Sequence, residues 1–352
     1  MSLWRSLYRG ETEFDFMRYR YRYFVISGAL IAISLLSLLV RGLDGSVDFT
    51  GGTIVEAPNT TGVDVAEYRG ELSAIGQEGA RVQIRSERDG SEVVVVQTEA
   101  LSVGDRNALV ATVASVAGVD ENDTTIDAVG PTFGSEITRR AVEALVIFLV
   151  VVALFITWRF EWKMAMGALA ALFHDLIITA GIYSLVGFEV TPATVIAILT
   201  ILGYSLYDTV VVFDKVTENV HELGSRHTFT EIVNLSLNQV LMRSLNTSAT
   251  SLLPIGSLLI VGSYLLGAAT LREFALALFI GIAAGTYSSI FVAAPLLTEW
   301  KEREPEWQRM QRRVARRSGA TVLTTEVAAA TATEVRGSGA EPRAPKQRRR
   351  RR

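Results

Sequence analysis

Cysteine is absent from this chain of 352 residues, and histidine occurs only three times. Without cysteine, the chain has no disulfide framework and no thiolate metal site. The pair His221-Glu222 is followed by His227, but the two histidines are six positions apart and lack the spacing of the HExxH zinc-protease motif. The sequence therefore predicts neither a metal nor a cofactor.

Charged residues make up 20% of the chain, but six long stretches contain almost none. These stretches are residues 24–40, 141–157, 164–186, 192–213, 244–269 and 274–298. Each is about long enough to cross a bilayer, and a spanning segment must satisfy its own backbone hydrogen bonds. The alternating pattern of a membrane β-barrel is absent. We therefore predict a polytopic α-helical membrane protein with six transmembrane helices, the first of which is an uncleaved N-terminal span.

The charges that remain are distributed unevenly between the loops. Residues 44–138 hold 17 Asp and Glu against 5 Arg, whereas residues 299–352 hold 15 Lys and Arg against 7 Glu. Arg and Lys concentrate in cytoplasmic loops, and Arg18, Arg20 and Arg22 precede the first span. We therefore expect both termini in the cytoplasm of a prokaryote and the acidic segment outside its cytoplasmic membrane. The basic tail is expected to contact anionic lipid, and no specific nucleic acid is expected as a partner.

The acidic segment between the first two spans has the pattern of a small α+β domain. The predicted elements are strand 53–57, helix 63–75, strands 81–86 and 92–98 with a turn at Asp89-Gly90, helix 103–116 and strand 124–129. This β-α-β-β-α-β order is that of the ferredoxin-like pattern. The predicted domains are a cytoplasmic N-terminus (1–23), a first span (24–40), an extracytoplasmic ferredoxin-like domain (41–138), a five-helix membrane domain (139–300) and a disordered basic cytoplasmic tail (301–352).

A glycine pair opens this domain, in the run Val47-Asp48-Phe49-Thr50-Gly51-Gly52. Paired glycines predict a turn with positive φ or a close backbone approach. A phosphate loop is not expected, because no Gly-Lys-Ser/Thr sequence follows.

Two further patterns concern helix packing in the second half of the chain. The run Glu231–Val240, between the fourth and fifth spans, has apolar residues at amphipathic spacing and is expected to lie along the membrane surface. Gly281 and Gly285 form a small-xxx-small face in the sixth span, which predicts close contact with another helix.

The fourth span contains an acid, Asp208, within the run 203–219. A carboxylate in hydrocarbon is costly, so a functional role is the first interpretation, and contact between helices is the alternative. Asp208 is about 8 Å above Asp214 at the inner end of this span. Arg243 opens the next span from the same side, so the two side chains can pair. A proton arriving on Asp208 would release Arg243 and change the helix packing.

In the third span, His174-Asp175 either joins helices by hydrogen bonds or belongs to a proton path.

Four segments together resemble the SecF family of protein-export membrane proteins, within the resistance-nodulation-division superfamily. The segments are DFTGG, His174-Asp175, GYSLYDTVVVFDKVTEN and NQVLMRSLNTSATSLLP. The resemblance implies six spans, a SecD-like partner beside the SecYEG channel, and outward pulling of a translocating unfolded polypeptide by the proton motive force. It also implies that Asp208 is the essential membrane acid and Arg243 its partner. The family commonly has Asn before this acid, where this chain has Tyr207.

Other functions are compatible with parts of the pattern. An exporter half of the same superfamily, for lipids or small molecules, is the nearest alternative, although such exporters usually have twelve spans in one chain. A structural scaffold predicts that Asp208→Asn has no effect. An intramembrane aspartyl protease needs a second acid in a Gly-x-Gly-Asp setting, which is absent. We therefore expect translocation driven by a proton or sodium gradient, and no enzyme.

Overall fold

The computed structural model describes residues 14–86, 90–265 and 269–316. Within these residues, six helices are long and apolar enough to cross a membrane. A small sheet domain lies between the first and the second of them. The prediction of a polytopic α-helical membrane protein with six spans and a small α+β domain is confirmed. Most of the predicted basic tail lies outside the described residues.

The secondary-structure elements are numbered here in chain order. In the first half of the chain they are α1 (Arg20–Arg41), β1 (Asp44–Gly45), α2 (Val47–Thr50), β2 (Gly52–Pro58), α3 (Val65–Ala74), β3 (Arg81–Ser86), β4 (Glu92–Thr98), α4 (Val103–Ala117) and β5 (Thr125–Val129). In the second half they are α5 (Pro131–Arg159), α6 (Trp162–Val186), β6 (Glu189–Val190), α7 (Pro192–Leu223), α8 (Phe229–Ser257), α9 (Ala269–Ser288), α10 (Ala294–Glu302) and α11 (305–316). A π-helical segment (Leu258–Leu265) continues α8, and another (Ser289–Ala293) joins α9 to α10.

The α+β domain contains the six predicted elements in the predicted β-α-β-β-α-β order. Its sheet has the strand order β3-β4-β2-β5, and all neighbouring strands are antiparallel. Helices α3 and α4 bury Tyr68, Leu72 and Leu109 in its core. The Tyr68 hydroxyl donates to Asn59 Oδ1 at 2.9 Å, and burial raises the pKa of Tyr68 to about 12. Asp89 of the predicted turn lies outside the described residues.

The DFTGG segment joins this domain to the membrane helices. Residues of the short helix α2 lead into Gly51, which has φ +73°, and a Cβ on Gly52 would lie 2.5 Å from a backbone oxygen of β4. A Cβ on Gly134, in the first turns of α5, would lie 2.7 Å from the Phe49 carbonyl oxygen. Strand β1 pairs in parallel with β6, which directly precedes α7. The glycines thus provide both the positive φ and the close backbone approach that the sequence predicts.

Helices α7 and α9 form a close contact in the membrane bundle. A Cβ on Gly281 would lie 2.3 Å from Ile201 Cδ1, and a Cβ on Gly285 would lie 2.8 Å from Ser205 Cβ. The two helices approach this closely because both glycines lack a side chain. The predicted small-xxx-small face of the sixth span therefore packs against the fourth.

Helix α5 stands at the edge of the bundle, and many of its apolar side chains are exposed. They are Val142, Val146, Ile147, Val150, Val151, Leu154, Phe155 and Trp158. An apolar face of this kind suits contact with lipid, since lipid chains offer no hydrogen-bond partners.

The prediction of a surface helix over Glu231–Val240 is wrong. These residues form the first turns of α8, which runs without a break into the fifth span. Ile232 and Leu237 are buried in the main core cluster of the bundle, and only a short connection over residues 224–228 separates α7 from α8. The apolar residues at helical spacing are therefore explained by packing against other helices, a contact that produces the same periodicity as a membrane surface.

The start of α8 also holds the segment that precedes α1. The Asn238 amide accepts a hydrogen bond from the Phe14 backbone N–H at 2.9 Å and donates to the Phe14 carbonyl at 2.8 Å. Asn234 Oδ1 accepts from the Phe16 N–H at 2.8 Å. Arg20 then pairs with Glu302 at the end of α10. These contacts tie the first described residues to the end of the bundle opposite the α+β domain.

Candidate functional site

Asp208 lies near the middle of α7 and faces the interior of the bundle. Its side chain is 3% exposed. Oδ1 accepts a hydrogen bond from Ser244 Oγ of α8 at 2.8 Å, whereas Oδ2 is buried without a partner. A buried ionised carboxylate is stabilised by several hydrogen bonds or by an adjacent charge. With one donor and one free oxygen, this carboxylate has room for a proton on Oδ2.

Arg243 directly precedes Ser244, the partner of Asp208, but its side chain faces the outside of the bundle. Its guanidinium donates to the Tyr207 hydroxyl at 2.8 Å, and the Tyr207 side chain is 50% exposed. Both Arg243 and Asp208 belong to the described part of the chain, and no ion pair joins them. The expected direct pair is therefore not formed in this structure. Consecutive residues of a helix point about 100° apart, so Tyr207 meets Arg243 outside while Asp208 meets Ser244 inside.

A second buried acid, Asp175, belongs to α6. Its side chain is 0% exposed and that of His174 is 3% exposed. Asp175 Oδ1 lies 3.0 Å from His174 Nδ1. Oδ2 accepts hydrogen bonds from Ser205 of α7 at 2.5 Å and from Ser288 of α9 at 2.8 Å. Three helices therefore meet at this carboxylate, and the sequence pair His174-Asp175 is also a pair in space.

Buried hydroxyl groups extend from both acids into a polar seam through the bundle. On α7 the polar residues Ser205, Asp208 and Thr209 recur at helical spacing on one buried face. Thr209 shares a hydrogen bond at 2.9 Å with Ser289, the first residue of the π-helical segment that follows α9. On the other side of Asp208, Ser248 of α8 contacts Thr286 of α9 at 2.7 Å.

The sequence interpretation missed Ser205, Ser244 and Ser288, although they are direct partners of the acids. Serine is common in membrane helices, so its presence alone carries little information. The available signal was position: Ser205 lies three residues before Asp208, on the same face of α7.

Asp48, Gly51 and Gly52 lie at the joint between the α+β domain and the bundle, away from both acids. Asp48, in the short helix α2, accepts a hydrogen bond on Oδ2 from Ser46 Oγ at 3.1 Å. Ser46 directly precedes this helix. Within the described residues, no group of three or more His, Asp or Glu side chains is placed to hold a metal ion.

The chain is thus a polytopic membrane protein of a defined class. It has six membrane helices, an α+β domain inserted after the first helix, and two buried acids in the helix bundle. The family model described as protein export membrane protein SecD/SecF, C-terminal, matches residues 109–303. The chain is 40% identical to the protein translocase subunit SecF of Streptomyces coelicolor, over 89% of this chain and 83% of that protein. It is 44% identical to SecF of Mycobacterium tuberculosis, over 88% of this chain and 72% of that protein.

The chain belongs to the SecF family of protein translocase subunits. The crystal structure of SecDF, a translocon-associated membrane protein from Thermus thermophilus, superposes with a TM-score of 0.74 at 36% identity. The match covers 84% of this chain and 39% of the SecDF chain. Sequence comparison with the SecDF subunit of the same organism gives 38% identity over 37% of its length. This chain therefore corresponds to less than half of that longer protein.

Proposed function

We propose that the chain is an accessory subunit of the Sec protein-export machinery that uses the proton motive force to promote late steps of polypeptide translocation. Membership of the SecF family supports the export role. The charge distribution supports a cytoplasmic-membrane orientation with both termini inside and the α+β domain outside. The translocating polypeptide and a SecYEG channel are its proposed partners, with anionic lipid at the basic tail.

The single observation that carries proton coupling is the state of Asp208. This carboxylate is 3% exposed, has one hydrogen-bond donor and leaves Oδ2 without a partner. Acids inside membrane helices are expensive and mark ion pathways. Moving one elementary charge through a membrane potential supplies about 2.3 kcal/mol per 100 mV, which is comparable with the energy of a few helix–helix contacts. Protonation of Oδ2 removes a buried charge. It also weakens the hydrogen bond that Ser244 donates to Oδ1, because the acceptor is then neutral.

The outward face around Arg243 indicates where a SecD-like subunit would bind. Arg243, Asn246 and Thr250 are exposed on α8, and Tyr207 is exposed on the neighbouring part of α7. This polar face contrasts with the apolar exposed face of α5. An arginine in the membrane usually faces the interior of a bundle or a water-filled cavity rather than lipid. We therefore assign this face to the partner subunit, which the related SecDF protein carries in the same polypeptide.

The first experiment is Asp208→Asn in cells that depend on this protein for export. Unprocessed secretory precursors should accumulate while the protein level stays normal. Asp214→Asn is the matched control, because Asp214 is on the same helix but exposed and paired with Arg159 at 2.6 Å. Normal precursor processing by the Asp208→Asn protein would refute proton coupling through this residue. It would also leave open the alternative of an exporter half for lipids or small molecules.

The second experiment uses the absence of cysteine, which makes every introduced cysteine unique. A thiol-reactive photo-crosslinker is placed at Asn246→Cys on the polar face, or at Val150→Cys on the apolar face of α5, in membranes containing a SecD-like subunit. Position 246 should form a crosslink to that subunit, whereas position 150 should not. The reverse result would place the partner on α5.

A further inference from the structure

The His174–Asp175 pair is built differently from the site at Asp208. Asp175 has three hydrogen-bonding partners on its two oxygens: His174, Ser205 and Ser288. Hydroxyl groups that donate to a carboxylate stabilise its ionised form. Both oxygens of Asp175 are therefore engaged, whereas Asp208 leaves one oxygen open.

His174 has one nitrogen engaged and one free. Nδ1 lies 3.0 Å from Asp175 Oδ1, and when the carboxylate is ionised this hydrogen bond requires the proton on Nδ1. Nε2 is buried without a hydrogen-bond partner, in a side chain that is only 3% exposed. In the neutral imidazole this nitrogen is an unused acceptor, and in the imidazolium it is a second donor. The ring stacks on Tyr287 of α9 with centroids 5.9 Å apart, which fixes its plane.

Ser288 can hold its hydroxyl hydrogen in either of two directions. Its Oγ lies 2.8 Å from Asp175 Oδ2 and 3.2 Å from the carbonyl oxygen of Gly285. A hydroxyl has a single hydrogen, so these two acceptors are alternatives. Donation to Gly285 would weaken the hold of α9 on the carboxylate, and donation to Asp175 strengthens it. The strength of the Ser288–Asp175 hydrogen bond, which joins α9 to α6, can thus change with the net charge of His174 and Asp175.

We propose that His174 and Asp175 form a second proton-binding site, in which His174 Nε2 accepts the proton and Asp175 stabilises the resulting imidazolium. The proton adds to the free lone pair of Nε2 while Nδ1 keeps its own, so no other bond breaks. The net charge of the pair changes from −1 to 0. The role of this site rests on the proton coupling proposed above, whereas proton binding to His174 can be measured independently of it.

Among the residues that the structure describes, few other titratable groups face this pair. Tyr287 stacks on the His174 ring from α9, and Tyr23 of α1 packs on Phe291, which also contacts Tyr287. On α7, Asp208 lies one helical turn from Ser205. The Tyr287 hydroxyl is engaged with Ser27 of α1 at 3.1 Å. Asp175 is therefore the carboxylate in direct contact with the imidazole.

The test exploits the low histidine content, because the other two histidines, at positions 221 and 227, are both exposed and replaceable. The full-length His221→Gln, His227→Gln protein is labelled with nitrogen-15 histidine and studied by NMR in lipid nanodiscs. As the pH is lowered over the range in which the protein stays folded, the signal should change from the Nδ1–H tautomer to the doubly protonated ring. Asp175→Asn should lower the imidazolium fraction by about tenfold or more, since a contacting opposite charge is lost.

Tyr287→Phe is the matched control, because it keeps the stacked ring and removes only the hydroxyl that contacts Ser27. It should leave the imidazolium fraction unchanged. The proposal is overturned if His174 stays neutral wherever the protein is folded, a result that needs no variant at Asp175. It is also overturned if Asp175→Asn folds and titrates like the parent. Neither result depends on export, so failure here is distinct from failure of the Asp208 hypothesis.

Discussion

Replacing Gly281 with alanine should force α7 and α9 apart where this glycine packs against Ile201. The added Cβ would lie 2.3 Å from Ile201 Cδ1 and 2.6 Å from both Cγ1 and Cγ2. Non-bonded carbon atoms prefer a separation of about 3.5–4.0 Å. The overlap is therefore more than about 1 Å, and it involves three atoms of one branched side chain rather than a single flexible end. Either Ile201 changes rotamer or the helices separate.

The expected magnitude follows from two opposing effects. Overpacking a close contact costs about 1–3 kcal/mol. Replacing glycine with alanine inside a helix returns about 0.8–1 kcal/mol of propensity. Gly281→Ala should therefore destabilise the protein by up to about 2 kcal/mol. The control Gly203→Ala, on α7, has nothing within 4 Å of the added Cβ and should be neutral or stabilising. Because the propensity gain is common to both variants, they should differ by the overpacking cost of about 1–3 kcal/mol.

The assay is equilibrium or thermal unfolding of the purified full-length protein in detergent. Ile201→Ala is combined with Gly281→Ala in a double-mutant cycle, and the interaction energy should be about 1–3 kcal/mol in favour of the pair. Additive effects of the two substitutions would show that these side chains do not collide. Equal stability of Gly281→Ala and Gly203→Ala would refute the packing argument altogether.

Two further predictions concern the α+β domain and the N-terminal segment. Tyr68→Phe should cost about 1 kcal/mol through loss of the hydrogen bond to Asn59. Burial raises the folded-state pKa of Tyr68 to about 12. The contribution of Tyr68 to the free energy of unfolding is therefore fully present below about pH 10 and is lost as the pH rises toward 12. The phenylalanine variant should lack this alkaline loss in pH-dependent unfolding, and an identical profile would contradict the assignment. Asn238→Ala removes both hydrogen bonds to Phe14 and should speed proteolysis at the N-terminal arginines, whereas unchanged cleavage would show that the segment is held by other contacts.

The sequence alone determined the architecture that depends on local pattern. Hydropathy and length identify six spans because a membrane helix must be apolar along its whole length. Alternation and helical spacing placed β3 and β4 at their observed bounds in the α+β domain. The cost of a charge in hydrocarbon pointed to Asp208 and to His174-Asp175. These inferences need no knowledge of which helices are neighbours.

Only the tertiary structure decided what each polar side chain meets. In a membrane helix both the lipid face and the buried face are apolar, so periodicity does not show which side faces inward. Arg243 therefore looked like the partner of Asp208, but packing turned it toward Tyr207 and gave the acid Ser244 instead. Likewise, Ser288 lies 113 residues from Asp175 and becomes its donor only because α9 packs against α6. Such contacts follow from the arrangement of the helices, which a single sequence does not record.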